Sequence, residues 1–151
     1  MTVLFSRKCE YALQGVVYLS QHRGEQPISA DRIAADLNIS IPFIAKTLQA
    51  LVKQGFLNST RGKHGGFSLA QNPEMISLLD IILAIDGPSI FETCVMGLPE
   101  CGSDHPCPVH DVWGGLREDI RRMLSQSNIA SFTETSVNSL THTLKGIASH
   151  D

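Results

Sequence analysis

Two serine caps, eleven residues apart, constrain the folding of this 151-residue chain more than any other feature of it. Ile28-Ser29 and Ile39-Ser40 each place an apolar residue before a serine, and each is answered at the fourth helical position by another isoleucine, Ile33 and Ile44. That is the mark of a helix start: the hydroxyl takes an amide the helix leaves unpaired, and the two apolar residues staple the incoming chain. The first helix so opened has room only for residues 30–37 before Asn38. The second runs to about Gln54, with Pro42 in its first turn, where a missing N–H costs nothing, and Gly55 at its end. Two short helices joined by a tight turn are a helix-turn-helix.

An earlier helix is expected from the recurrence of Tyr11, Ala12, Val16, Val17 and Leu19 between a Ser6 cap and a stop at Gly24. In the helix after Ser40, Ile44, Leu48, Leu51 and Val52 line one face, while Phe43, Lys46, Thr47, Ala50 and Lys53 fall largely on the other. An ordinary amphipathic helix with a solvated lysine face has the same spacing; the segment that follows argues for more. Residues 56–70, FLNSTRGKHGGFSLA, form two short strands around a tip of Arg61, Gly62, Lys63, His64, Gly65 and Gly66. The glycines permit positive φ and leave backbone N–H groups uncovered beside three basic side chains, which suits a phosphate backbone. A hairpin directly after the second helix of a helix-turn-helix is a wing.

Charge supports the reading only once the chain is divided. Overall the net charge is −3, but residues 1–75 hold eight Lys and Arg against five Asp and Glu, and residues 76–151 hold four against ten. A polyanion is thus expected at the first half and a different task for the second. With 42% hydrophobic residues the chain can bury a core, and no apolar stretch approaches the roughly 18 residues a membrane span needs. The start of the sequence lacks a signal-peptide pattern, so a cytoplasmic protein with reduced cysteines is expected.

Beyond Asn72-Pro73, Ser77 and Asp80 form a capping-box pair opening an almost wholly apolar helix that Gly87-Pro88 ends. Residues 88–108 hold too much turn chemistry for a regular element. A long helix of about 18 residues, roughly 27 Å, is expected from Val109, with Val109, Val112, Trp113, Leu116, Ile120, Met123 and Leu124 on one stripe. Arg117, Glu118, Asp119, Arg121 and Arg122 fall off that stripe. Ser131 and Glu134 then cap a last helix bearing Val137, Leu140, Leu144 and Ile147. A long amphipathic helix after an otherwise complete domain predicts a homodimer, whose two-fold axis would set two recognition helices about 34 Å apart on a roughly palindromic operator.

Cys94, Cys101 and Cys107 stand as C-x6-C-x5-C, followed by Pro108, Val109 and His110. In a reducing compartment such grouping favours a soft metal over disulfides. Zinc commonly uses C-x2-C knuckles, which are absent; the wider gaps suit an iron–sulfur cluster, which spreads its ligand sites over several irons. One position remains to fill. His110 is nearest, Glu10 and Cys9 on the first helix are rivals if a partner subunit brings that end over the loop, and His105 ranks lower.

These segments resemble the Rrf2 family of bacterial transcription regulators, whose iron–sulfur members include the types called IscR, NsrR and RirA. The resemblance spans about residues 4–135 and rests on YAL in the first helix, ISIPFIAKTLQALVKQGFL, the wing RGKHGGFSLA, LLDIILAIDG, and C-x6-C-x5-C-x2-H leading into a long helix. It implies a dimeric winged helix whose loop holds a cluster and whose DNA affinity follows cluster state. The C-P-V-H step resembles IscR-type proteins, where the histidine is a ligand, whereas Glu10 stands where NsrR-type proteins place an acidic ligand from the partner. The first cysteine gap is one residue longer than usual, and 2Fe-2S and 4Fe-4S both remain open.

The expected architecture is therefore mainly α: a winged helix-turn-helix over 1–87 with a small β-hairpin, a cluster-binding loop over 88–108, and a dimerisation helix with a C-terminal helix over 109–151. The expected function is a non-enzymatic regulator that binds double-stranded DNA. Its DNA surface comprises Ser40, Pro42, Phe43, Lys46, Thr47 and Lys53 on the recognition helix, with Arg61, Lys63, His64, Gly65 and Gly66 on the wing. Lys46 and Lys53 meet phosphates, and Phe43 and Thr47 meet thymine methyls or base edges. A zinc-stabilised DNA-binding or interaction protein and a small iron–sulfur redox protein are the alternatives; no phosphate loop, dinucleotide fingerprint or nucleophile motif supports catalysis.

Overall fold

The computed structural model describes residues 4–99, 104 and 106–132. Six helices and one hairpin follow in order: α1 Arg7–Gln21, α2 Ala30–Leu37, α3 Ile41–Lys53, β1 Leu57–Thr60, β2 Gly66–Leu69, α4 Leu78–Ile85, α5 Ser89–Glu92 and α6 His110–Gln126. Single 3-10 turns lie at Arg23–Glu25, Pro73–Met75 and Ile129–Ser131. The expected helix after Ser131 lies outside the described residues.

Local chemistry sets most boundaries. Ser6 accepts the Cys9 N–H at 3.1 Å and Ser29 the Arg32 N–H at 3.3 Å, so α1 and α2 start where the caps require. Ser77 and Asp80 exchange both capping-box bonds. Between α2 and α3, Asn38 adopts the left-handed conformation, φ 55° and ψ 47°, and the following Ile39 N–H reaches back to the Ala34 carbonyl at 2.9 Å. Asparagine tolerates that conformation better than most residues, which is how so short a turn closes.

The core gathers Val16 and Leu19 of α1, Ile33 of α2, Ile44, Leu48 and Leu51 of α3, and Ile81 of α4, all fully buried. Each such side chain contributes about 1.5–3 kcal/mol by leaving water. Helices α1 and α3 pack without slack at Gly15, where an added Cβ would lie 2.8 Å from Leu48 Cδ2. A second, smaller cluster joins Cys9, Leu79, Ile82 and Leu124, with Phe5, Phe91 and Ile120 at its edge, and seats α6 against α1 and α4.

The hairpin pairs antiparallel, Leu57 with Leu69 through Thr60 with Gly66. It is tied to the body by Ile28, which exchanges backbone bonds with Phe67 at 2.9 and 2.8 Å. Gln26 adds a bracket, accepting the Leu69 N–H at 2.9 Å and donating to the Leu19 carbonyl at 2.6 Å. Two expectations need correction. Residues 88–108 do contain a regular element, the single turn α5, because Ser89–Glu92 can close one helical turn before Thr93 goes extended. The apolar residues of α6 do not form one stripe: Ile120 and Leu124 turn into the second cluster and Trp113 is half-buried, whereas Val109, Val112, Leu116 and Met123 remain exposed.

Candidate nucleic-acid interface and cysteine loop

Helix α3 presents Ser40, Ile41, Pro42, Phe43, Lys46, Gln49 and Lys53 to solvent on the side away from the core. Ser40 occupies the N-cap position and is exposed, but it makes no side-chain cap bond, so the expected cap does not form there. Phe43 is 42% exposed, and its ring meets Tyr11 of α1 edge-on with centroids 5.2 Å apart. Thr47 departs from expectation. It is 1% exposed, and its hydroxyl donates to the Phe43 carbonyl one turn back at 2.8 Å. Its place at the edge of the apolar arc puts it under Ile44 and Leu51, and back-bonding to the helix satisfies the buried hydroxyl. Thr47 therefore does not reach a base.

In the wing, Arg61, Lys63 and His64 are all exposed at the tip, which the Gly65 N–H to Gly62 carbonyl bond closes at 3.0 Å. Gly65 and Gly66 have a structural explanation of their own. A Cβ on Gly65 would lie 2.1 Å from the Thr60 carbonyl oxygen, and one on Gly66, at φ +153°, would lie 2.2 Å from the Ile28 carbonyl oxygen. Both are needed for strand closure and docking whether or not they approach phosphates.

Sequence reasoning missed the contribution of α1 to this surface. Tyr11 braces Phe43, and the exposed Arg7 donates to the Tyr11 hydroxyl at 3.5 Å, extending the basic face by one helix. Gln49 ties α3 to the wing through Ser59 at 3.2 Å. Only a three-dimensional neighbour makes either pair visible, since 32 positions separate Tyr11 from Phe43.

In the cysteine loop, Cys94 is 7% exposed at the end of α5, and Cys107 is half-buried one turn before α6. The His110 N–H binds the Cys107 carbonyl at 3.0 Å, so the loop's last thiol and the first imidazole of α6 share one turn. Cys101 and His105 lie outside the described residues. Among the described residues, no three Cys, His, Asp or Glu side chains gather in a metal-holding group. The donor set is nevertheless soft, two thiols and a half-buried imidazole on one segment, and fits an iron–sulfur group chemically. Glu10 is half-buried on α1. Beside it, burial and the neighbouring Asp86 and Glu10 carboxylates push the Cys9 thiol up to about 12, which makes Cys9 a core residue with little thiolate to offer.

A helix-turn-helix, a docked basic hairpin and an outward recognition face together define a winged-helix DNA-binding protein. Comparison with known proteins makes the class specific. The family profile of Rrf2, described as an iron-dependent transcriptional regulator, matches residues 5–135, and the chain belongs to that family. A protein of Aquifex aeolicus named among helix-turn-helix transcriptional regulators is 33% identical over 129 residues, covering 84% of this chain and 89% of that one. Among solved structures, CymR, the global cysteine regulator of B. subtilis, superposes with a TM-score of 0.74 at 27% identity over 88% of this chain and all of that one. T. potens IscR gives 0.68 at 29% identity, over 86% and 84%. The family is one of transcriptional regulators and not of enzymes. No helix among the described residues is long and apolar enough to cross a membrane.

Proposed function

We propose that the protein is a cytoplasmic homodimeric regulator whose affinity for a roughly palindromic operator is set by an iron–sulfur cluster on Cys94, Cys101 and Cys107. His110 is the favoured fourth ligand, and Glu10 from the partner copy is the alternative. The observation that carries this reading is the position of the thiols. In sequence the three cysteines sit on the segment that joins the winged helix to α6, with Cys94 shielded at one end and the Cys107 carbonyl bound by the His110 N–H at the other. When bound, a cluster supplies redox- and supply-sensitive crosslinking of that segment.

The chain's own residues then do the rest. Lys46 and Lys53 of α3 neutralise phosphates, Phe43 meets thymine methyls or base edges, and Arg61, Lys63 and His64 anchor the wing on the adjacent backbone or minor groove. Ser40 and Pro42 line the start of α3 at the same groove. The exposed face Val109, Val112, Leu116 and Met123 of α6 meets its own copy.

The test is anaerobic purification followed by visible absorption and iron, sulfide and zinc analysis. DNA selected from a random pool is then bound by loaded and metal-free protein. A coloured protein with a severalfold or larger affinity difference supports the reading; equal affinities overturn it. His110→Ala and Glu10→Ala separate the fourth ligands, since only the true one alters the spectrum. A regulator of cysteine supply is the second reading, favoured by the likeness to CymR, the global cysteine regulator; colourless, iron-free protein with full DNA affinity favours it.

A further inference from the structure

Helix α6 grips the root of the cysteine loop with a stripe of its own. Trp113, Arg117 and Arg121 recur every fourth residue and so share a face. Trp113 donates its indole N–H to the Thr93 carbonyl at 3.1 Å, and Arg117 donates to the same oxygen at 3.0 Å. The Arg121 guanidinium lies over the Phe91 ring, 5.8 Å from its centroid. From the other side, the Thr93 N–H and hydroxyl both bind the Ser89 carbonyl, at 2.8 and 2.6 Å.

Thr93 immediately precedes Cys94. Its carbonyl has two lone pairs, and α6 supplies a donor for each, so the peptide plane between Thr93 and Cys94 is held from outside the loop. A fixed peptide plane leaves the next residue only its soft dihedrals, and Cys94 is already 7% exposed. A gap of 20 residues separates Thr93 from Trp113, the one tryptophan of the chain. Simple packing of α6 on α5 would need only apolar contact. Two donors converging on one backbone oxygen set an orientation as well.

We infer that Trp113 and Arg117 are positioning residues for the Cys94 thiol, which they aim by holding the carbonyl before it. Through them the loop is joined to α6 on the face beside Val112, Leu116 and Met123. The consequence for cluster retention rests on the function proposed above; the hold on Cys94 does not.

The experiment uses the full chain as wild type, Trp113→Phe, which keeps an aromatic ring without the N–H, Arg117→Met, which keeps the stem, and Arg117→Lys, which keeps a donor. In metal-free protein, alkylation by N-ethylmaleimide is followed at Cys94 and at Cys107 by peptide mass spectrometry, beside thermal unfolding. Iron–sulfide-loaded protein is challenged with a chelator and followed by visible absorption. The expected result is a Cys94 rate, relative to Cys107, that rises roughly threefold to tenfold in Trp113→Phe and Arg117→Met, the range one lost hydrogen bond gives. Arg117→Lys recovers part of it, and cluster loss accelerates by a similar factor. An unchanged ratio overturns the inference. So does a rise at both cysteines accompanied by a lowered melting temperature, which marks general loosening. If the wild type takes up no iron while the Cys94 ratio responds as stated, the positioning role stands and the cluster reading falls.

Discussion

Replacing Leu116 by Glu tests whether the exposed face of α6 is where two copies meet. Leu116 is 51% exposed, between Val112 at 69% and Met123 at 56%, and none of the three belongs to either core cluster. The substitution therefore leaves the single chain's fold intact. About half of a leucine is on the order of 90 Å², and at ~25 cal/mol/Å² its burial contributes about 2 kcal/mol per copy. Under two-fold symmetry the loss counts twice, about 4–5 kcal/mol before any repulsion between the two carboxylates, and differences of this kind are firmer than absolute sums. That weakens the dimer by about three powers of ten. Sedimentation equilibrium at low micromolar concentration reads it directly: a dimeric wild type and a monomeric variant with an unchanged circular dichroism spectrum. A variant whose dimer dissociation constant stays within about threefold of wild type, or a monomeric wild type, refutes the argument.

Three further outcomes follow from particular contacts. Thr47→Val should leave operator binding unchanged and alter stability by about 1 kcal/mol or less, because the hydroxyl serves only the Phe43 carbonyl, whereas Phe43→Ala should cost more on the selected site than on random DNA; competition binding checks both. Gly66→Ala should lower stability by about 2–4 kcal/mol in urea melts, since its Cβ would stand 2.2 Å from the Ile28 carbonyl oxygen and undock the wing. Burial and the bond to Asp36 push the Tyr18 phenol up from 10 to about 12. The native state then holds that proton more tightly, so its stabilisation is full below pH 10 and is lost as the pH climbs through 12. Wild type should lose on the order of 2–3 kcal/mol over this window that Tyr18→Phe does not lose.

Where a structural decision is local, it could be read from residues alone. The caps at Ser6, Ser29 and Ser77 and the stop at Asn38 each depend on neighbours within four positions, and all appear in place. Ser40 and Thr47 show the limit. The edge of a helix's buried arc depends on what packs there, and here the arc extends over Thr47, which is 1% exposed. Helix α6 shows the same limit on a larger scale. Spacing alone assigns Trp113, Leu116 and Ile120 to one stripe and Arg117 to the polar side, yet Thr93 draws Trp113 and Arg117 inward together. A backbone carbonyl leaves no mark in a sequence, so neither partner nor face was readable. In the loop the cysteine spacing is plain in the sequence, while the arrangement of the side chains in space is not.

The contacts around the loop also bear on how the proposed signal would travel. Asp86, at the end of α4 and two residues before the loop, accepts the Ser6 N–H at 2.8 Å and the Ser6 hydroxyl, while Ser6 itself caps α1. Helix α1 in turn meets α3 at Gly15 with no room for a methyl group. From the root of the loop to the recognition helix, every step is thus a hydrogen bond or a close-packed contact. On the other side, α6 holds Thr93 by two side chains and leaves its neighbouring apolar face exposed. Because Ile120 and Leu124 seat the C-terminal half of α6 on α1 and α4, under the proposed function a change in the loop acts first as a displacement of the N-terminal half, which holds Thr93. Two-fold pairing along α6 would double that displacement. Under the proposed function, loop state therefore reaches DNA as a change in the spacing of two intact recognition helices, not as the unfolding of either.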